Sequence, residues 1–143
     1  MATPITVSRN ELVRLGACAY NGKAIRCSLA LKGVAAVTAE SSTAAWDALK
    51  CTAPGYADVS TTLGTGSFDT GFDLRWEAGQ GVGADLFVTA SFYATGSPYN
   101  FDTFYVVIDN SANIYGIIPE SGTSQVVPGF PKTYMFQIAL KQV

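Results

Sequence analysis

The fold class is decided by the stretch Phe68-Asp-Thr-Gly-Phe-Asp-Leu-Arg-Trp-Glu77, in which apolar or small residues alternate with polar residues or glycine. This period of two is typical of a β-strand with one buried face. The alternation recurs at 86–92 and 134–140, and two further apolar runs, 104–109 and 114–118, flank a turn and predict a hairpin. Short strands separated by glycine and proline clusters predict a mainly β chain, an antiparallel β-sandwich or barrel.

The N-terminal third of the chain adds two helices to this pattern. Ser8 and Glu11 form a capping box, which starts a helix predicted over 9–20. Alternation through 25–31 predicts a strand, and a short additional helix is predicted over 43–51. We therefore expect a single domain over residues 1–143, with an N-terminal arm (1–8), the helix 9–20 and a mainly β part (24–143).

Composition removes several classes of function. The 143 residues include no histidine, which excludes Ser-His, Cys-His and His-ligated metal mechanisms. A net charge of −2 does not supply the basic footprint of a nucleic-acid-binding protein. We expect no cofactor, no membrane span and no secretory signal. The odd set Cys18, Cys27 and Cys51 is expected to remain as reduced thiols after synthesis in a cytoplasm.

The few charged residues are unevenly distributed along the chain, with the basic ones mainly at the two ends and the acidic ones mainly in the middle. Residues 1–50 carry six basic and three acidic side chains, residues 51–131 carry eight acidic side chains and Arg75, and residues 132–143 carry two lysines. Only 14% of the residues are charged, less than a soluble monomer normally keeps at its surface. This distribution predicts head-to-tail contacts between copies or docking on a complementary partner.

One tripeptide suggests catalysis. Asp69-Thr70-Gly71 matches the motif of dimeric aspartic proteases, in which two carboxylates share one proton. That chemistry needs no histidine, so Asp69 is the candidate catalytic residue. The competing interpretation is an exposed strand aspartate, because the alternation places Asp69 on the polar face.

A second segment has the spacing of a calcium loop. Asp109, Ser111, Asn113 and Glu120 fall at positions 1, 3, 5 and 12 of an EF-hand-like loop, but Ile114 stands where the loop needs glycine. A hairpin turn rich in Asn and Asp explains the same residues, because both tolerate left-handed backbone.

Two groups of residues are candidates for contacts with other chains. Tyr93, Tyr99 and Phe101 lie in an aromatic-rich segment interpreted as a loop, and such residues serve as interface anchors or as a platform for glycans. The N-terminal arm and the basic ends of the chain supply the remaining candidates, which are Pro4, Ile5, Val7, Arg9, Arg14 and Lys132.

The order of three segments carries a family resemblance. A capped helix leads to Ile25-Arg-Cys-Ser-Leu-Ala-Leu31, a short Ala/Trp helix ends at Gly55-Tyr-Ala-Asp-Val59, and the run from Phe104 to Ile118 completes the series. This order resembles small virion structural proteins of tailed bacteriophages, particularly capsid cement (decoration) and tail accessory proteins.

The resemblance implies a β-rich protein that is not an enzyme and acts in many symmetric copies within the virion, after synthesis in the host cytoplasm. The expected function is cementing of the head through contacts with the major capsid protein and with other copies of the chain. The alternatives are a tail component, such as an adaptor, accessory or receptor- or glycan-binding protein, and the dimeric aspartic protease.

Overall fold

The structure is a computed structural model that describes residues 3, 8, 20, 22–63, 72–78 and 83–141, with the backbone alone over 72–78, 83–87 and 137–141. These residues form seven strands and one short helix. In chain order the elements are β1 (Ala24–Ala30), α1 (Thr43–Asp47), β2 (Val59–Thr62), β3 (Phe72–Ala78), β4 (Gly83–Phe92), β5 (Tyr99–Ile108), β6 (Gly116–Val126) and β7 (Lys132–Lys141). The helix predicted over 9–20 lies, except for its last residue, outside the described residues.

The strands form two antiparallel sheets. One has four strands in the order β2-β1-β5-β6, and the other has three in the order β3-β4-β7. Every pairing is antiparallel. The prediction of a mainly β, antiparallel chain is therefore confirmed. Neither sheet closes on itself among the described strands, so β6 and β7 each lie at a sheet edge.

The predicted hairpin is confirmed and extends further than expected. Val106 of β5 lies opposite Gly116 of β6, and the two strands pair as far as Tyr99 and Val126. The connecting turn begins with Asp109 and Asn110, whose φ values of 58° and 51° are left-handed. Asp and Asn adopt this conformation more readily than other residues that carry a side chain, as the sequence indicated.

The helix predicted over 43–51 is too long. Ser42 caps α1 by accepting a hydrogen bond from the Ala45 N–H, as expected of an N-cap. The helix nevertheless ends at Asp47, because the following residues return to the edge of β1. There the Leu31 N–H donates to the Leu49 carbonyl and the Cys51 N–H donates to the Leu29 carbonyl, so Lys50 forms a bridge with Ala30 instead of continuing the helix.

The two sheets share one apolar core. Its centre is Phe104 of β5, which is fully buried and contacts aromatic rings of two strands of the other sheet, β4 and β7. The ring centroids lie 4.3 Å from Tyr134, 5.5 Å from Phe136 and 6.1 Å from Phe92. Such stacked and edge-to-face pairs add about 0.5–1.5 kcal/mol each to the free energy of area burial.

The four-stranded sheet is buried on its opposite face as well. A second cluster there contains Tyr105 and Val107 of β5 packed against Trp46 of α1 and Ile114. The Trp46 indole N–H donates to the Thr38 carbonyl at 2.9 Å, so its polar atom is satisfied while the ring is buried. The short helix therefore serves as a cover for the sheet.

Gly55 is expected to be intolerant of a side chain. Its φ is +87°, and a Cβ at this position would lie 2.5 Å from Oγ1 of Thr95. Gly55→Ala should lower the free energy of unfolding in urea by about 2–4 kcal/mol, because backbone strain and a steric clash add.

Gly33→Ala separates these two causes. Gly33 also has a positive φ, +55°, but open space around the Cβ position. Its substitution should cost only about 1 kcal/mol. Adding Thr95→Ala should recover part of the loss in Gly55→Ala and none in Gly33→Ala; equal losses in both glycine variants would show that the contact with Thr95 is unimportant.

Candidate assembly surface

The largest polar cluster lies at the second face of the four-stranded sheet. Nη2 of Arg26 donates to both carboxylate oxygens of Asp47 at 3.0 and 3.1 Å, and the Tyr105 hydroxyl donates to the same carboxylate at 2.6 Å. Burial opposes the charge of Arg26, but its hydrogen bonds to Asp47 and Tyr105 outweigh burial and raise the pKa of the guanidinium. These contacts bind the C-terminal end of α1 to β1 and β5.

A second carboxylate completes the cluster beside β2. Asp58 accepts hydrogen bonds from the Tyr56 hydroxyl at 2.6 Å and the Lys50 ammonium at 2.9 Å. Burial alone would raise the pKa of Asp58, but the bonds from Tyr56, Lys50 and Ser28 lower it. The Tyr56 hydroxyl also accepts a hydrogen bond from the Leu29 N–H at 2.9 Å. It thereby satisfies a backbone donor of β1 beyond Cys27, the last residue of β1 that pairs with β2.

This cluster joins α1, β1, β5 and the segment before β2 through hydrogen bonds. Each of its carboxylates is held by donors from its own chain, and burial together with the bond to Asp47 raises the pKa of Tyr105, which keeps the phenol protonated. The two described cysteines are also unreactive. Burial raises the pKa of Cys27, and raises that of Cys51 to about 11, so both are neutral thiols.

The residues of the predicted calcium loop do not converge. Asp109 lies 3.6 Å from the ammonium of Lys23, and the Ser111 hydroxyl accepts from the Asn113 N–H within the turn. Glu120 lies four residues beyond Gly116, about 13 Å along the strand. There it contacts the Tyr134 hydroxyl and the Lys132 ammonium. Across the described residues, no group of three or more His, Cys, Asp or Glu side chains could hold a metal ion.

Two of the aromatic interface candidates are wrong. Tyr99 and Phe101 are buried in the core, because the segment interpreted as a loop is the first part of β5. The Tyr99 hydroxyl donates to the Tyr93 carbonyl at 2.9 Å. Tyr93 itself is 48% exposed and remains on the surface. It borders a pocket of about 270 Å³ whose other walls include Gly55, Ser91 and Thr95.

The basic candidate Lys132 belongs to a contact between the two sheets. Its ammonium lies 3.1 Å from Glu120 of β6 and 5.2 Å above the ring of Tyr134. Hydrogen bonds from Tyr134 and Lys132 lower the pKa of Glu120. Lys132 is therefore half-buried and engaged within its own chain.

The other candidates, Asp69 and the N-terminal residues Pro4, Ile5, Val7, Arg9 and Arg14, lie outside the described residues.

Three large apolar side chains of the described residues are strongly exposed. Val34 is fully exposed, and Phe130 and Met135 are each 75% exposed. Met135 could have been identified, because it alternates with the inward-facing Tyr134 and Phe136 along β7. Phe130 lies in the tight turn before the same strand, where Val127 and Phe130 form an isolated bridge.

An apolar groove opens between the edges of the two sheets. Its volume is about 180 Å³. Its walls come from β5, from the beginning of β6 and from β7, and they include Phe104, Val106, Tyr115, Gly116, Ile118 and Phe136. Burial and the neighbouring Tyr20 raise the pKa of Tyr115.

Comparison of the chain with family models, with curated proteins and with solved structures finds no match. Among the described residues, no helix is long and apolar enough to cross a membrane.

We expect Asp58→Asn to lower the free energy of unfolding at pH 7 by about 1–3 kcal/mol, because charge-assisted hydrogen bonds to a half-buried group are lost. The pKa of Asp58 is lowered in the fold. The contribution of ionised Asp58 to the free energy of unfolding is therefore complete above the pKa of Asp58 in the unfolded chain, about 3.9. This contribution is lost as the pH falls through the lower pKa of Asp58 in the folded protein.

Urea unfolding of wild type and Asp58→Asn at pH 7 and pH 3 measures this contribution. The difference between the two proteins should be largest at pH 7 and should shrink at pH 3. The pKa values of Asp102 and Glu120 are also lowered in the fold, but they affect both proteins equally. Asp109→Asn, at an exposed ion pair, is the control and should change little. A pH-independent difference would contradict the assignment.

Proposed function

We propose that this chain is a non-enzymatic structural protein of a tailed-phage virion, in the first place a cement protein that binds the capsid shell and other copies of itself. Two observations support this proposal, namely three strongly exposed large apolar side chains and a low content of charged residues. Val34, Phe130 and Met135 are exposed large apolar side chains on a chain with only 14% charged residues. Burial of these side chains against another chain would remove apolar area from water and favour association.

The environment of the acidic residues agrees with a structural role. Asp102 accepts hydrogen bonds from the N–H groups of Lys32 and Gly33 at 2.7 Å each, at the bulge of β5. Asp47, Asp58 and Glu120 are similarly engaged by donors from other segments. Carboxylates held in this way fix loops to the sheet and are poorly suited to proton transfer with a substrate.

The finer architecture forms part of the proposal. The two sheets pack face to face through Phe104 as a β-sandwich, and β6 and β7, which are edge strands among the described elements, would contact other chains. The partners are the major capsid protein or tail proteins together with further copies of this chain. A symmetric assembly would repeat each weak contact many times.

Deletion of residues 1–8 is expected to abolish incorporation into particles while the fold is retained. None of the strands that the structure describes includes residues 1–8, so their loss should leave the far-ultraviolet circular dichroism and thermal midpoint nearly unchanged. The measurement is the amount of the protein that co-sediments with purified particles. A truncated chain that loads normally would contradict the role of the arm.

Tyr93 favours one alternative, a glycan-binding tail component. Its exposed ring beside a small pocket is the arrangement on which a sugar ring can stack. In that case a glycan array should show binding that Tyr93→Ala removes and Tyr115→Ala, which alters another exposed tyrosine, retains. An array without binding would leave the assembly function as the only supported one.

A further inference from the structure

The inner face of the hairpin has a gap at Gly116. This residue lies opposite Val106, whose side chain is buried in the core, so position 116 faces the same side of the sheet. A Cβ at Gly116 would meet no atom within 4 Å. Two residues further along β6, Ile118 lies opposite Phe104 and packs against the core. The missing side chain at 116 therefore leaves open space beside a packed core.

The gap forms part of the apolar groove. At about 180 Å³ the groove is smaller than pockets that bind small-molecule ligands, which have volumes of about 300–1,000 Å³. It resembles in size a cavity of about 150 Å³ that holds one benzene molecule. The groove thus has room for one or two apolar side chains. It opens between β6 and β7, which are edge strands among the described elements.

The N-terminal arm has the sequence that such a groove accepts. Ile5 and Val7 are separated by one residue, so in an extended chain they point to the same side about 7 Å apart. Four extended residues span about 13 Å, which is the length of β6 from Gly116 to Glu120.

We propose that residues 4–7 of one copy bind the groove of a second copy, as a strand added along the β6 edge with Ile5 or Val7 in the space beside Gly116. The backbone bonds of the added strand would satisfy an open sheet edge, and the apolar side chain would complete the core. This inference takes from the proposed function only the idea that the partner is another copy.

Gly116→Val tests the groove directly. The added side chain occupies the space that the arm requires, and its Cβ meets no atom within 4 Å in the single chain. Sedimentation velocity of the full-length protein should show self-association of the wild type and association weakened about tenfold or more in Gly116→Val. Gly122→Val is the matched control, since Gly122 is also in β6 with open space around its Cβ position but does not line the groove.

A reciprocal variant tests the arm. The double substitution Ile5→Asp with Val7→Asp should weaken association to the same extent, because two charges would have to enter an apolar site. The arm variant keeps an intact groove, and Gly116→Val keeps an intact arm. An equimolar mixture of this protein with Gly116→Val should therefore form a heterodimer that neither forms alone.

Several results would overturn the inference. These are a wild type that stays monomeric up to about 1 mM, association of Gly116→Val equal to that of Gly122→Val, and a mixture that does not pair. The thermal midpoint of Gly116→Val should equal or exceed that of the wild type, which shows that the variant folds. If these tests fail while the wild type still loads onto particles, the inference is wrong and the proposed function stands.

Discussion

The packing of Phe104 between the two sheets is the contact on which the described structure depends. Its ring lies against aromatic rings from β4 and β7, so a single residue of β5 fixes how the sheets face each other. The Lys132–Glu120 ion pair and the contact of Glu120 with Tyr134 reinforce the same junction at its rim. The groove beside Gly116 lies immediately next to this ring, so the proposed binding site is an extension of the core itself.

The opposite face of the four-stranded sheet explains part of the low charge. Val37, Trp46 and Leu49 pack over that face, and the cluster around Trp46 is closed at its edge by the bonds of Arg26 to Asp47. Even Ser28 and Thr103, polar residues of the central strands, are buried. A sheet covered on both faces needs few charged side chains, so low charge alone is weaker support for assembly than the exposed Phe130 and Met135.

The sequence predicted those elements whose burial follows a period of two. Strands β1, β4 and β7 and the hairpin of β5 and β6 lie where alternation or turn chemistry placed them, and β3 agrees over its described residues. The beginning of β5 was missed because Pro98, Asn100 and Asp102 are typical of a loop, although Tyr99 and Phe101 alternate with them. The end of α1 was also missed, because it depends on pairing between residues 49–51 and β1.

The groove beside Gly116 was less predictable from the sequence. Whether a glycine leaves a gap in the packing depends on which residues lie opposite it in the sheet. The sequence indicated the arm residues Ile5 and Val7, but not that Gly116 lies opposite a buried valine. The exposed Met135 was visible in the alternation, whereas the exposed Phe130 depends on the turn that precedes β7. These features together support a protein whose surface is completed by other chains.

Quantitative mass spectrometry of purified virions tests this central claim most directly, because it measures the number of copies of the chain in each particle. A cement protein should be present on the order of hundreds of copies, in a fixed ratio to the major capsid protein. A few copies, or about a dozen, would assign the chain to the tail instead. Absence of the chain from purified particles would contradict the structural function altogether.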